Sequence, residues 1–402
     1  MDRVKKISFK KIAEQKKSMG FLRIFIFVFL CIGIFVIAFF SYFANKNIDI
    51  SRMTFQEFFT AIKYGNINEA NTQVINEMYF DSGSNLSYAI YRDYILEASK
   101  YGLRFIDKKF KQLHFEPFAM NRPVVKTQGM YISVADMGGK DVYIFNGSTK
   151  LWNKTLDNNI LSVDISSNGY VLVVHEETRY KSAVTMFNLK GDVIFTLGKA
   201  ENFIVMARIA PDGDRFVLNE LNASNIKIKS ILEFADISGK LDENQIILEN
   251  TIVTNVGYLN NGFFAALGDT GLKIYDRNKT EKRFFGINGK LFGGAVIDEQ
   301  YIAVAASEEE NKGIYNNSKT RVNIYDKDAI YSSFVLEQQI KNISGYRNII
   351  GLNTGRSVYC FNLKGKYLGN FESKQEINGL DFFDDTNLMV VGKSILQIIK
   401  MD

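Results

Sequence analysis

Residues able to do covalent or metal chemistry are few in this chain. His114 and His175 are its only histidines, and neither has a Cys or a second His at ligand spacing, so no histidine-based metal site is expected. Cys31 and Cys360 are its only cysteines. One falls in an apolar run and the other in a strand-like segment, which leaves no internal disulfide. No G-x-S-x-G elbow, no Walker loop and no G-x-G-x-x-G opening a helix occurs. Clusters such as Pro211-Asp212-Gly213 and Asn260-Asn261-Gly262 are rich in oxygen ligands, but these are the residues that tight turns require. No dense D-x-D-x-D-G loop marks a calcium site. A non-enzymatic chain without metal or cofactor is therefore expected, and its informative side chains are those of recognition. Two stretches supply them: EETRYKS (176–182), with Glu176, Arg179 and Tyr180, and SEEENKGIYNNSKTR (307–321), with Glu308, Glu309, Glu310 and Tyr315. Both mix charge with aromatic anchors in loops longer than economy demands, where binding residues tend to sit. A third such stretch covers 219–225.

The elements that must position these loops repeat along the chain. ILSVDISSNGYVLVVHEE followed by SAVTMFNLKGDVIFTLG reads as four antiparallel strands, the first pair joined across Asn168-Gly169 and the second across Leu189-Lys190-Gly191. Four strands in about 40 residues make one sheet that cannot bury both faces alone, so copies must stack into a propeller. The third strand of each copy ends in Asp or Asn: Asp107, Asn146, Asn188, Asp236, Asp276, Asp326 and Asn362, with an eighth, ILQIIK, ending in Lys400. The expected fold is all-β, an eight-bladed β-propeller with seven blades as the alternative count, over residues 72–402. The last copy offers only three strands, and TQVINEMYF (72–80) is expected to close the ring as its missing outer strand. In such blades the loops between second and third strands emerge at the same end as the blade-to-blade connections, so 176–182 and 307–321 decorate one face.

Residues 1–23 hold eight Lys or Arg against Asp2 and Glu14, a local charge of +6 in a chain whose total is +5. The rest therefore carries −1, and binding of nucleic acid by the propeller loses its electrostatic basis. Residues 24–44 (IFIFVFLCIGIFVIAFFSYFA) are uncharged and long enough, at about 1.5 Å per residue, for the roughly 30 Å of a bilayer core. A transmembrane helix is expected in preference to a cleavable signal, whose apolar region is shorter. Lysines dense before it and sparse after it place the N-terminus in the cytoplasm and the propeller outside the cytoplasmic membrane. Residues 45–71 form a juxtamembrane segment with a short amphipathic helix: Thr54 and Glu57 fit a capping box, and Phe55, Phe58, Phe59 and Ile62 share one stripe.

The units VYIFNGSTKLW, VTMFNLKGDVIF, LKIYDRNKTEKRFF and VYCFNLKGKYLGNF resemble the quinoprotein-type (PQQ-like) propeller repeat, and ISSNGYVLVV and IAPDGDRFVL resemble WD-type hairpins. Quinone-dependent dehydrogenases of this fold use a tryptophan motif in most blades, whereas Trp152 is the only Trp here. As a whole the chain is similar to an uncharacterised Gram-positive family of single-pass, membrane-anchored propellers, a domain of unknown function. Two function classes remain, and the first is a protein-interaction scaffold in the cell envelope, with an envelope protein as partner. The alternative is a ligand-sensing or carbohydrate-binding propeller that uses its central channel. The first strands that would line that channel are mostly apolar or neutral, with Asp164 and Arg208 the main exceptions.

Overall fold

The computed structural model describes residues 26–38, 41, 72–223, 227–308 and 319–401. Contacts divide the chain into Met1–Glu69 and Ala70–Asp402. In the first unit residues 26–38 are helical and exposed almost throughout. Among the described residues no helix is long and apolar enough to cross a membrane. Seven residues of the expected span (24–25, 39–40 and 42–44), and the whole amphipathic stripe at 55–62, lie outside the described set.

The second unit consists of eight four-stranded antiparallel sheets. Blade one begins at Ser87–Tyr91, blade two at Pro123–Gln128, blade three at Ile160–Ile165 and blade four at Phe203–Ile209. Blade five begins at Val253–Tyr258, blade six at Leu291–Ile297, blade seven at Asn342–Tyr346 and blade eight at Ile377–Phe382. In blades one to seven the four strands pair in chain order.

The Asp or Asn that ends the third strand is explained by what its side chain does. In Asp107, Asn188, Asp236, Asp276 and Asn362 one Oδ accepts the backbone N–H groups two and four residues on, at 2.8–3.1 Å. Asp326 accepts from Asp328 and Ala329 in the same way. Each side chain thus satisfies donors that the turn takes out of the ladder. Blade two needs no such cap, because Asn146 pairs directly with Thr149 across a two-residue turn.

Apolar cores lie between consecutive sheets. One joins Ile144 and Trp152 of blade two to Val163, Val173 and Phe187 of blade three. Another joins Val174, Val184 and Met186 to Ile204, Phe216 and Leu218 of blade four. Trp152 packs its ring 5.5 Å from that of Phe187, so the single tryptophan serves the blade interface. Small hydroxyls stitch blades together at the backbone: Ser182, Ser230 and Thr320 each accept the N–H that opens the next blade, from Ile204, Val253 and Ile340.

The outer strand of blade eight is Thr72–Tyr79, paired antiparallel with Ile395–Met401 in a register that runs from Thr72 opposite Met401 to Tyr79 opposite Ile395. Its side chains reach both neighbours. Asn76 donates to the Lys108 carbonyl of blade one, and Thr72 to the Asn370 carbonyl of blade seven. Val74 and Tyr79 are exposed, whereas Met78 and Phe80 pack on the core between blades eight and one.

Candidate interaction surface and channel mouth

Every blade runs in the same sense, so the ring has two ends: one carries the second-to-third hairpins and the blade connections, the other the remaining turns. Of the residues expected from the sequence to recognise a partner, the described ones, Glu176, Arg179, Tyr180 and Glu308, fall at the first end. In blade three Val171–Glu177 and Tyr180–Phe187 are paired out to Glu177 and Tyr180. The stretch 176–182 is thus a hairpin with a two-residue turn, Thr178-Arg179, instead of a long loop. Glu176 ties down the preceding blade connection, its N–H donating to the Asn159 carbonyl and its Oε2 accepting from the Asn159 amide, both at 2.9 Å. Arg179 and Tyr180 are exposed, the Tyr180 ring lying across Gly198, where an added Cβ would meet it at 2.5 Å.

In blade six Glu308 is also held within its hairpin. Its N–H donates to the Lys319 carbonyl and its carboxylate pairs with Arg321. Glu309, Glu310 and Tyr315 lie outside the described residues. Blades three and six are separated by two whole blades, so Glu308 shares an end of the ring with Arg179 and Tyr180 without forming one site with them. Of the third stretch, residues 219–222 belong to the strand Arg215–Asn222. Asn219 is buried and donates to the Val253 carbonyl of the next blade.

Apolar residues not singled out from the sequence are exposed at the same end. The first strands of blades three, four, five, six and eight each contain a register shift near their start. Such a bulge turns one extra residue away from the ladder. In blades three and four that residue is Leu161 or Val205, 42% and 48% exposed. Phe203 and Ile252 are exposed beside them, and the Lys181 ammonium stands 5.0 Å over the Phe203 ring. The signal was present in the sequence. The buried residues Ile160, Val163 and Ile165 are spaced three and then two, as are Ile204, Ala207 and Ile209, where an unbroken strand would keep a period of two.

At the opposite end the first strands bring charges together. Asp164 Oδ1 lies 3.2 Å from an Arg208 guanidinium nitrogen and 3.5 Å from the Lys126 ammonium, while its Oδ2 accepts the Ile209 N–H at 2.9 Å. Two cations thus share one carboxylate. Burial holds Lys126 below the ordinary lysine value against the attraction of Asp164. A cleft of about 320 Å³ opens beside this cluster, and it shares Ala210, Pro211, Tyr258 and Glu299 with a neighbouring cleft of about 510 Å³.

The second cleft is lined by Asp212 and Glu299 together with Arg215 and Arg277. Arg215 faces Asp214 at 3.5 Å, and Arg277 lines the wall near them. Asp212 and Glu299 have no ion-pair partner among the described residues. Burial, then the charges of Asp212 and Asp298, raises the Glu299 carboxyl above its ordinary value. Asp214 is raised by burial and by its hydrogen bond to Asp212. The Tyr258 hydroxyl is buried in both clefts and finds no hydrogen-bond partner among the described residues. Burial raises its pKa, so it stays protonated.

Glu299 is placed there by unusual backbone. Asp298 and Glu299 open the three-residue turn between Ile297 and Tyr301 of blade six with φ of 49° and 55°, whereas the corresponding turns of blades three and four spend Gly169 and Gly213 on positive φ. No group of three or more His, Cys, Asp or Glu able to hold a metal ion occurs among the described residues. Neither histidine takes part in either surface. His175 is buried, bonded to the Glu176 carbonyl and to Thr185, and His114 lies edge-on to Phe105.

In fold the propeller is similar to several solved structures. BamB from Moraxella catarrhalis aligns with a TM-score of 0.56 at 12% identity, covering 82% of this chain and 98% of that one. The C-terminal WD40 domain of Sif2 aligns at 0.61 and 12%, with 82% and 98% covered. Sqt1 of Saccharomyces cerevisiae aligns at 0.61 and 10%, with 81% and 98% covered. No curated protein matches the chain. The match over residues 66–401 to a family of unknown function, DUF5711, takes in the whole ring with its closing strand, and the chain belongs to that family.

Proposed function

We propose that this protein is a non-enzymatic scaffold, anchored in the cytoplasmic membrane by residues 24–44 with its N-terminus inside, which presents the propeller to the cell envelope and holds another envelope protein. The observation that carries this reading is the asymmetry of the two ends. The hairpin end concentrates Arg179 and Tyr180 with the exposed apolar bulges Leu161 and Val205, and Phe203 and Ile252 beside them. Aromatic and arginine anchors around a desolvatable apolar patch are what a protein partner engages. The +6 tail and the uncharged run that follows support the topology. Likeness of fold to BamB and to WD40 domains is compatible with a binding role.

A photo-reactive residue introduced at Tyr180 or Val205 tests the scaffold, read by mass spectrometry of adducts formed in native membranes. Discrete adducts with one envelope protein are expected, reduced by Arg179→Ala. Their absence at both positions would withdraw this surface. Topology is tested separately by single cysteines at Ser8 and Asn317 with an impermeant maleimide: reaction at 317 in intact cells and at 8 only after lysis is expected, and the opposite pattern removes the envelope reading.

A further inference from the structure

Blade one departs from the other seven at an inner position. Three residues before each third-strand cap, or before Lys400 in blade eight, the residue opposite on the second strand is a buried Val, Leu or Ala in blades two to eight, as Val134 is opposite Tyr143. In blade one it is Glu97, opposite Arg104 and only 6% exposed. An enclosed ion pair is seldom more stabilising than the aliphatic packing it displaces, so stability does not account for the exchange. Both oxygens of the Glu97 carboxylate are engaged, one lying 2.5 Å from Arg104 Nη2 and the other accepting from the Tyr88 hydroxyl at 3.0 Å. The guanidinium is less fully used: among the described residues it is bonded through Nη2 alone, and 33% of the Arg104 side chain is exposed.

Arg104 lines a cleft of about 320 Å³ whose aromatic walls are Phe80, Tyr101 and Phe115. Phe80 follows the closing strand and is fixed by its N–H to the Ser394 carbonyl of blade eight. The Phe115 ring lies across Gly102, which has φ of 149° and where an added Cβ would meet the ring at 2.9 Å. Lys100 also lines the cleft, exposed and without an ion-pair partner among the described residues, its ammonium 4.8 Å over the Tyr101 ring. The ionic groups of the lining are thus Glu97, Arg104 and Lys100, one cation in excess.

We propose that this cleft binds a small carboxylic acid with an aromatic tail. The tail lies among the three aromatic walls and the carboxylate faces Arg104 and Lys100, a guanidinium being the group whose geometry best matches a carboxylate. A monoanion balances the lining, whereas a cation would meet two like charges. The site belongs to blade one and is separated by blade two from Arg179 and Tyr180, so cross-links at Tyr180 report on the scaffold reading independently.

Calorimetric titration of the full-length chain with 3-phenylpropionate, 3-phenylpropionamide and acetate tests the proposal, because the second probe lacks the charge and the third the ring. 3-Phenylpropionate is expected to bind at least about tenfold more tightly than either other probe. Arg104→Met alone would strand the buried Glu97 charge, so Arg104→Gln is combined with Glu97→Gln, which keeps an acceptor for Tyr88. This double variant should melt near the parent and lose the preference for acid over amide. Lys100→Met, at an exposed position, should reduce that preference several-fold without touching the fold, and Tyr101→Ala should weaken acid and amide alike. Equal binding of acid and amide, no binding of 3-phenylpropionate, or a preference for the acid that survives both charge-removing variants would overturn the site.

Discussion

Lys199, at the end of an outer strand of blade three, reaches two carboxylates of blade four, Glu220 at 3.0 Å and Glu233. Glu220 is almost fully buried and also accepts from Asn202 at 2.7 Å. Removing the shared cation leaves two buried acids facing each other. Lys199→Met is therefore expected to cost about 3–5 kcal/mol in chemical denaturation, and a loss under 1 kcal/mol would show that water already screens the cluster. Burial, offset in part by Asn202 and Lys199, holds Glu220 above the ordinary carboxylate value. A raised folded-state pKa gives stability that is full below the unfolded value near 4.5 and is lost as pH rises through the folded one. Glu220→Gln should accordingly lose less stability than the parent between pH 4 and pH 7; parallel pH profiles would contradict this. Cys360, whose thiol burial pushes up to about 12, should resist maleimide until the ring unfolds. Single residues were legible in the sequence only in part. Asp164 and Arg208 stood out as charges in apolar strands, but Lys126 and Tyr258 did not. The pairings of Asp164 with Lys126 and Arg208 join residues 38 and 44 positions apart, which no local pattern encodes.

Elements were read best where one side chain makes the turn. The recurrent Asp or Asn is visible in sequence because its Oδ must be present to receive two N–H groups, and Asn188→Ala is expected to cost about 1 kcal/mol for that reason. An unchanged melting temperature would show that water replaces the side chain. Loop length was read less well. The stretch at 176 appears as an insertion because polar residues there look like loop, yet strand pairing continues to Glu177 and Tyr180; at 307 the ladder ends at Ser307 opposite Thr320, leaving 308–319 between the strands. The exposed ends of a hairpin carry the same residues as a loop does. The turn at Asp298-Glu299 allows a further test. Asn-Gly is the pair favoured at two successive positive φ values, so Asp298→Asn combined with Glu299→Gly should raise stability by about 1 kcal/mol. Unchanged or lower stability would show that the acidic pair is not strained there.

At the scale of the whole molecule the ring is held by one pairing that joins its ends. A chain shortened to begin at Ser82 loses Thr72–Tyr79 and leaves the edge of Ile395–Met401 unpaired, so aggregation or a much lower melting temperature is expected. A chain beginning at Ser51 should melt cooperatively as a monomer, and equal stability of the two would mean that the closing strand adds nothing. The loss is of ladder hydrogen bonds, of the Asn76 and Thr72 ties to neighbouring blades, and of Met78 and Phe80 from the core between blades eight and one, whereas Val74 and Tyr79 bury little. The same pairing bears on when the protein can become native. Thr72 is among the first propeller residues to leave the ribosome and Met401 among the last, so the nascent chain carries an unsatisfied strand through nearly the whole of its synthesis. Contacts so distant in sequence form late. A stop codon within Ile395–Met401 would then be as damaging as one early in the propeller, because its first and last strands are a single structural unit made at opposite times.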